Sequence, residues 1–236
     1  LTGIFYPDVG GPAIHVRKIS EEFTQQGYEV AVITYGENPE GDNFPFQVIR
    51  SPRKLSAPLR WMLYLIYALK EARTSDVIYA FNISTAGIPA FLCGKIFGKK
   101  TIVRVAGDPI WERVVEKGNR FISFVNYYEE GLYKEDRPFL YKIIRYILPR
   151  FEKVIFYSEF MRDVYVRYYG VALDRTLIIP NPLPPVTKEA NLDSDTILFA
   201  GRLVAYKNLP LVLRSFAKAR KETGKGKLLL VGKGPD

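Results

Sequence analysis

Two cations, Arg202 and Lys207, lie within the segment Gly201-Arg-Leu-Val-Ala-Tyr-Lys-Asn, between an apolar run at Thr196–Ala200 and a helical pattern that starts at Asn208. An arginine forks onto phosphate oxygens and a lysine adds a point charge, each charge-assisted bond contributing about 1.5–3 kcal/mol. The pair suits a departing diphosphate, on which negative charge grows as a bond breaks. A second anion-binding element is Gly10-Gly11, directly before a helix with Pro12 at its start. Exposed N–H groups and the helix dipole there favour a phosphate or carboxylate; the same glycines would equally serve a plain tight turn. The spacing is not GxGxxG, which argues against a nicotinamide-binding domain.

Two polar segments follow apolar strands: Asn82-Ile-Ser-Thr after Phe81, and Ala106-Gly-Asp-Pro-Ile-Trp-Glu after Val105. Trp111 could stack on a sugar ring while Asp108 and Glu112 accept from its hydroxyls. Asp108 with Pro109 behind it also reads as a helix N-cap, and the two roles are compatible. Ser158, before Glu159, reads as another N-cap, and Asn181 either faces a cleft or shapes its turn. Asn82 begins an Asn-x-Ser sequon, but no secretory signal accompanies it. The single cysteine, Cys93, excludes an internal disulfide framework; its apolar helical setting makes it a core thiol and suits a reducing compartment, the cytosol.

The elements that must position these residues alternate. Strands are expected at Glu29–Thr34, Phe46–Ile49, Val77–Phe81, Thr101–Val105, Val154–Tyr157 and Leu177–Ile179, with helices between most of them. That rhythm predicts an α/β fold with a parallel sheet covered on both faces. Val16, Ile19 and Phe23 form a helical stripe that Gly27 ends, and Pro58–Arg73, apolar on almost every side, reads as a buried helix. Between Asn119 and Arg150, aromatics alternate with cations, and two helices broken near Arg137-Pro138 fit best. In the second, Phe139, Leu140, Ile143, Ile144, Ile147 and Leu148 form one stripe apart from Lys142 and Arg145, a pattern that suits a core-facing surface helix or an anionic membrane.

The proline-rich stretch from Ile179 reads as an interdomain linker, after which strand Thr196–Ala200, helix Asn208 to about Glu222 and strand Lys227–Val231 restart the rhythm. The expected division is 1–185, a linker at 186–195, and an incomplete second domain at 196–236. Leu1-Thr-Gly-Ile-Phe reads as the tail of a strand.

The chain is 236 residues long, 47% hydrophobic and 25% charged, which fits a folded globular protein rather than a disordered or fibrous one. Its formal charge of +9 favours anionic partners. The cations are spread along the chain rather than gathered in one arm, which speaks against nucleic acid. The most apolar run, Trp61–Leu69, is far short of the roughly 20 residues that a membrane span needs.

Gly10-Gly11 before a helix carrying His15-Val16, then Gly27-Tyr-Glu-Val, Ile179-Pro-Asn, Phe199-Ala-Gly-Arg-Leu-Val-Ala-Tyr-Lys-Asn and Val231-Gly-Lys-Gly-Pro together resemble the retaining, nucleotide-sugar-dependent glycosyltransferases of the GT-B fold, family 4. The resemblance covers the chain in order. It implies a nucleotide-sugar donor held mainly by the C-terminal domain, a glycan or lipid-linked acceptor held mainly by the N-terminal domain, and no required metal or cofactor. Arg202, Lys207 and Asp108 would then serve catalysis; Gly10, Gly11, Gly201 and Gly232, with the two cations, would face the donor; His15, Asn82, Trp111 and Glu112 would face the acceptor. With the single cysteine, this makes a cytosolic enzyme the expectation, its acceptor reached at the inner membrane face, with peripheral contact through Arg137 to Arg150 as one of the two readings of that helix. Many relatives carry His-Gly where this chain has Ala106-Gly107, so a polar sugar contact is absent there and Asp108 is its candidate substitute. The family's paired glutamates would lie beyond Asp236, leaving these residues alone inactive. Two rival readings stay open: another GT-B enzyme such as a sugar-nucleotide epimerase, and a non-catalytic ligand-binding protein with a hinged cleft.

Overall fold

The computed structural model describes residues 1–8, 10–38, 41–105, 107–118, 121–182 and 195–234. Ala106, and all of the expected linker at 186–195 except Asp195, fall outside them. In chain order the elements are α1 (Gly11–Gln25), β1 (Ala31–Tyr35), β2 (Gln47–Ser51), α2 (Ala57–Ala72), β3 (Val77–Phe81), α3 (Gly87–Phe97) and β4 (Lys100–Val105). There follow α4 (Trp111–Glu116), α5 (Phe124–Glu129), α6 (Tyr133–Asp136), α7 (Pro138–Ile147), β5 (Lys153–Phe156), α8 (Glu159–Tyr169), β6 (Thr176–Ile178), β7 (Thr196–Ala200), α9 (Leu209–Thr223) and β8 (Lys227–Val231). They form two compact units, Leu1–Pro109 with Arg137–Asn181, and Ile110–Asp136 with Pro182–Asp236.

The first unit is a parallel sheet. β1 pairs with β2, and β3, β4, β5 and β6 pair in that order. The N-terminal segment joins the two sets: Thr2 N donates to Ile33 O at 3.0 Å, and Phe81 N donates to Leu1 O at 2.9 Å. The central strands are mostly apolar, as expected where helices pack on a parallel sheet, and Ala80, Val103, Val105, Val154 and Phe156 are fully buried. α3 lies close on β4, since a Cβ at Gly94 would collide with the Thr101 methyl group. Burial of Cys93 on α3 pushes its thiol up to about 11, so it is inert core. Ser158 caps α8 as expected, its hydroxyl accepting from Met161 N at 3.3 Å.

Two expectations change. α2 is not buried all round: Tyr64, Ala68 and Ala72 face inward, while Leu59, Met62 and Ile66 form a stripe that is 44%, 50% and 50% exposed. The helix lies against β1, β2 and α3, and among the described residues no further layer covers its outer face. Among its described residues the aromatic and basic region holds three α-helices, not two, because Gly131 at φ 75° turns the chain between α5 and α6. The break at Arg137-Pro138 is where the sequence puts it, and α7 buries Tyr141, Ile144 and Ile147. Phe139, expected in that buried stripe, is instead 76% exposed, on the first turn of the helix.

The second unit has β7 and β8 paired in parallel and connected by α9. Near them, Trp111 of α4 meets the rings of Phe124 and Tyr206 at 5.5 and 5.7 Å. No helix among the described residues is long and apolar enough to cross a membrane.

Candidate phosphate and sugar sites

In the first unit, α1 begins at Gly11 with Gly10 as its N-cap; no side chain caps it and its first turn holds no acid. Among the described residues its leading N–H groups therefore have no side-chain acceptor. A Cβ at Gly10 would crowd Ile4 Cδ1 at 3.2 Å, whereas Gly11 borders open space. The preceding loop is held by two arginines that sequence reasoning missed. Arg50 donates to Tyr6 O at 2.6 Å and grips Asp42, while Arg53 holds Asp8 through both carboxylate oxygens. The Arg53 hydrogen bond keeps the Asp8 carboxyl below its usual range. Nothing in the spacing of Arg50 and Arg53 links them to Tyr6-Pro-Asp; only the parallel pairing of β1 and β2 does.

At the carboxyl ends of β3 and β4 the polar residues have structural work. Asn82 sits at φ 116°, and its Oδ1 accepts from Thr85 N at 2.8 Å and Ala86 N at 3.4 Å, forming the turn into α3. Asp108 is 1% exposed and accepts from the Tyr165 hydroxyl at 2.8 Å. The helix after it starts two residues later than a Pro109-led start, at Trp111 with Ile110 as N-cap. Arg104, which sequence reasoning passed over, is 2% exposed and donates to Ile179 O at 2.7 Å and Asn181 Oδ1 at 3.0 Å. A charge inside the apolar run Val103-Arg104-Val105 was the signal that could have found it. His15 packs its ring 5.6 Å from Phe81, and its Nε2 is buried without a hydrogen-bond partner. Burial, with Arg104 nearby, holds the imidazole below its ordinary pKa, toward the neutral form.

The second unit gathers Gly201, Arg202, Lys207, Gly232 and Trp111. Gly201 N donates to Val231 O at 2.9 Å and Leu203 N to Lys233 O at 3.0 Å. A Cβ at Gly232 would strike Gly201 O, so the close approach of the two strand tips demands a glycine there. Arg202 donates to the Glu116 carboxylate and to the Tyr206 hydroxyl, the latter at 3.2 Å. Tyr206 first and Glu116 second push the guanidinium pKa further up. Lys207 is exposed, with Nζ 5.5 Å from the centre of the Tyr206 ring. Asn208, at φ 51°, is the N-cap residue of α9, which has neither a side-chain cap nor an acid in its first turn. Two cations and an uncapped helix start therefore adjoin the tip of β7. Trp111 is positioned by Nε1, which donates to Ile122 O at 3.0 Å, and Glu112 is half-buried one residue on. Among the described residues no three His, Cys, Asp or Glu side chains gather as metal ligands.

Comparison with known proteins gives this arrangement a family. The sequence profile of glycosyltransferase family 4 matches residues 9–185, well over half of the chain. The alpha-monoglucosyldiacylglycerol synthase of Streptococcus pneumoniae is 26% identical over 99% of this chain and 55% of its own length. An uncharacterized glycosyltransferase of Methanocaldococcus jannaschii is 24% identical over 96% of this chain and 60% of its own. The chain thus spans 55% and 60% of these curated relatives. Among solved structures, HepE of Anabaena, in complex with UDP and glucose, superposes with a TM-score of 0.64 at 11% identity, over 98% of this chain and 68% of that one. A glycosyltransferase from Rickettsia africae gives 0.62 at 12% identity, over 100% and 68%. These neighbours and the parallel sheets show the expected α/β, GT-B-type fold, and the chain belongs to glycosyltransferase family 4.

Proposed function

We propose that the protein transfers a hexose, with retention, from a nucleotide sugar to a glycan or lipid-linked acceptor, and that Arg202 and Lys207 hold the departing diphosphate. The observation that carries this reading is the tip of β7, where a guanidinium oriented by Tyr206 and Glu116, an exposed Lys207 and an uncapped helix start present positive charge together. As the bond from the sugar's anomeric carbon to the diphosphate oxygen breaks, the acceptor hydroxyl bonds to that carbon on the same face. Its proton passes to the diphosphate. The two cations are the groups this reading assigns to the developing charge, and it calls for no metal or cofactor. Gly10-Gly11 is assigned to the donor substrate, and Asp108, His15, Asn82, Trp111 and Glu112 are assigned to the sugar and acceptor.

A lipid-linked acceptor is favoured by the relative named for monoglucosyldiacylglycerol synthesis and by the outer face of α7. There Phe139, Lys142, Arg145 and Tyr146 are exposed, and Arg150 lies 3.9 Å over the Tyr146 ring, beside Lys95 and Lys99. Cations around aromatic rings suit an anionic membrane surface, on the cytoplasmic side in this reading. With Lys142→Glu and Arg145→Glu combined, binding to anionic liposomes is expected to fall; unchanged binding would remove the membrane from the proposal.

The decisive test is nucleotide release by the full-length protein across UDP-, GDP- and ADP-sugars, with and without lipid or glycan acceptors. Acceptor-dependent release that drops about 10²–10³-fold in Lys207→Ala is expected. Release that needs no acceptor would point to an epimerase, and binding without release to a non-catalytic protein.

A further inference from the structure

Arg104 is a cation almost wholly removed from water, yet among the described residues no carboxylate pairs with it. Its hydrogen-bond partners are neutral, the Ile179 carbonyl and the Asn181 amide oxygen, and the Tyr79 hydroxyl lies close enough to feel its charge. Burying a charge without a counter-charge is costly, and proteins normally offset it with an acid or a bound ion. One Nη makes both of these bonds, so the remaining N–H groups of the fork keep donor capacity. On the same face of the sheet lies the second unusual group. Phe81 is the register partner of Arg104, its ring is 4.4 Å from Tyr79, and the His15 ring stands 5.6 Å from it with a buried, unpartnered Nε2. Asn181, which Arg104 holds, is exposed and gives the cluster a border with solvent.

We propose that Arg104, with His15 and Tyr79 beside it, forms a binding site for a phosphate group of a substrate, at the carboxyl ends of β3 and β4. The guanidinium supplies the charge and a fork of donors, and His15 Nε2 supplies one more. Two substrates could bring that group: the diphosphate of the donor, or a phosphate carried by a lipid-linked acceptor. The assignment rests on the glycosyltransferase reading for which substrate arrives, not for whether phosphate binds.

His15 is the single histidine of the chain, so histidine-selective isotope labelling gives one unambiguous NMR reporter. The full chain is titrated with inorganic phosphate, UDP and glycerol 3-phosphate, with sodium chloride as the control for ionic strength. A saturable shift of the His15 ring signals with phosphate, absent with chloride, is expected. A tighter response to UDP assigns the site to the donor, and one to glycerol 3-phosphate assigns it to the acceptor. Arg104→Gln should weaken the response about tenfold or more, with Arg104→Lys intermediate. No saturable shift in the wild type up to about 10 mM ligand would overturn the site, and that result does not depend on any variant folding. So would a shift that Arg104→Gln, shown folded by its unfolding transition, leaves unchanged. Nucleotide release with a silent His15 sinks this site alone, whereas phosphate binding without any release sinks the enzyme reading and leaves the site standing.

Discussion

Strands β4 and β7 carry similar sequences, Thr-Ile-Val-Arg-Val and Thr-Ile-Leu-Phe-Ala, yet Val103 and Val105 are fully buried while Ile197 and Leu198 are 55% and 59% exposed. The difference lies in their neighbours. β4 runs between β3 and β5 with helices over the sheet, whereas among the described residues β7 pairs with β8 alone and α9 buries no residue. An apolar run therefore specifies a strand but not the depth at which it sits, because depth requires layers on both faces. The same contrast governs the polar groups: Asp108 and Arg104 are enclosed, while Arg202 and Lys207 are open to solvent.

The largest effect that tests this contrast is in the cores. Phe156→Ala, at a fully buried position of β5, should cost about 3–5 kcal/mol of stability by chemical denaturation. Leu198→Ala, at 59% exposure on β7, should cost no more than about 0.5 kcal/mol. Comparable losses at the two sites would mean that β7 is as enclosed as β5 when the protein is in solution.

Next come the two tyrosine hydroxyls. Tyr165→Phe removes a donor from a buried carboxylate and should cost about 1.5–3 kcal/mol. Tyr206→Phe removes an acceptor from an arginine whose side chain is 61% exposed, and stability should change by no more than about 0.5 kcal/mol. If Arg202 holds the departing diphosphate as proposed, its expected consequence is instead slower nucleotide release, because Arg202 loses one of the two groups that orient it. A Tyr165→Phe protein as stable as the wild type would break the distinction between enclosed and open polar pairs.

Much of the fold is legible in the residues. Val77–Phe81, Thr196–Ala200 and Lys227–Val231 are strands with the bounds that the sequence suggests, since each is an apolar or β-branched run closed by turn-forming or polar residues. Local patterns cannot say what lies outside a helix, so the exposed stripe of α2 is not legible from its composition. Asn82 is a polar residue at a strand tip, where ligand contact and turn formation look alike until its hydrogen bonds are seen. Arg50 and Arg53 depend on a loop far away in sequence, which only the sheet order brings near. Arg104 is readable as an oddity, a charge in a buried run, but that no carboxylate among the described residues pairs with it is a property of three dimensions.

The smallest effect concerns an ion pair of intermediate exposure, and it places the Gly10-Gly11 loop between the two regimes. Asp8 and Arg53 side chains are 24% and 42% exposed, so their pair should contribute at most about 1 kcal/mol. The Asp8 carboxyl is held below its usual range when folded, by Arg53 first. Its stabilisation is therefore present in full above the ordinary carboxylate pKa and fades as pH falls through the lowered folded value. Arg53→Gln should flatten that part of the acid stability curve and leave the neutral-pH stability slightly lower. Unfolding midpoints followed from neutral to acid pH in wild type and variant would show it. Parallel curves would mean that Arg53 does not lower the Asp8 pKa and that the pair adds nothing to the stability of the loop before α1.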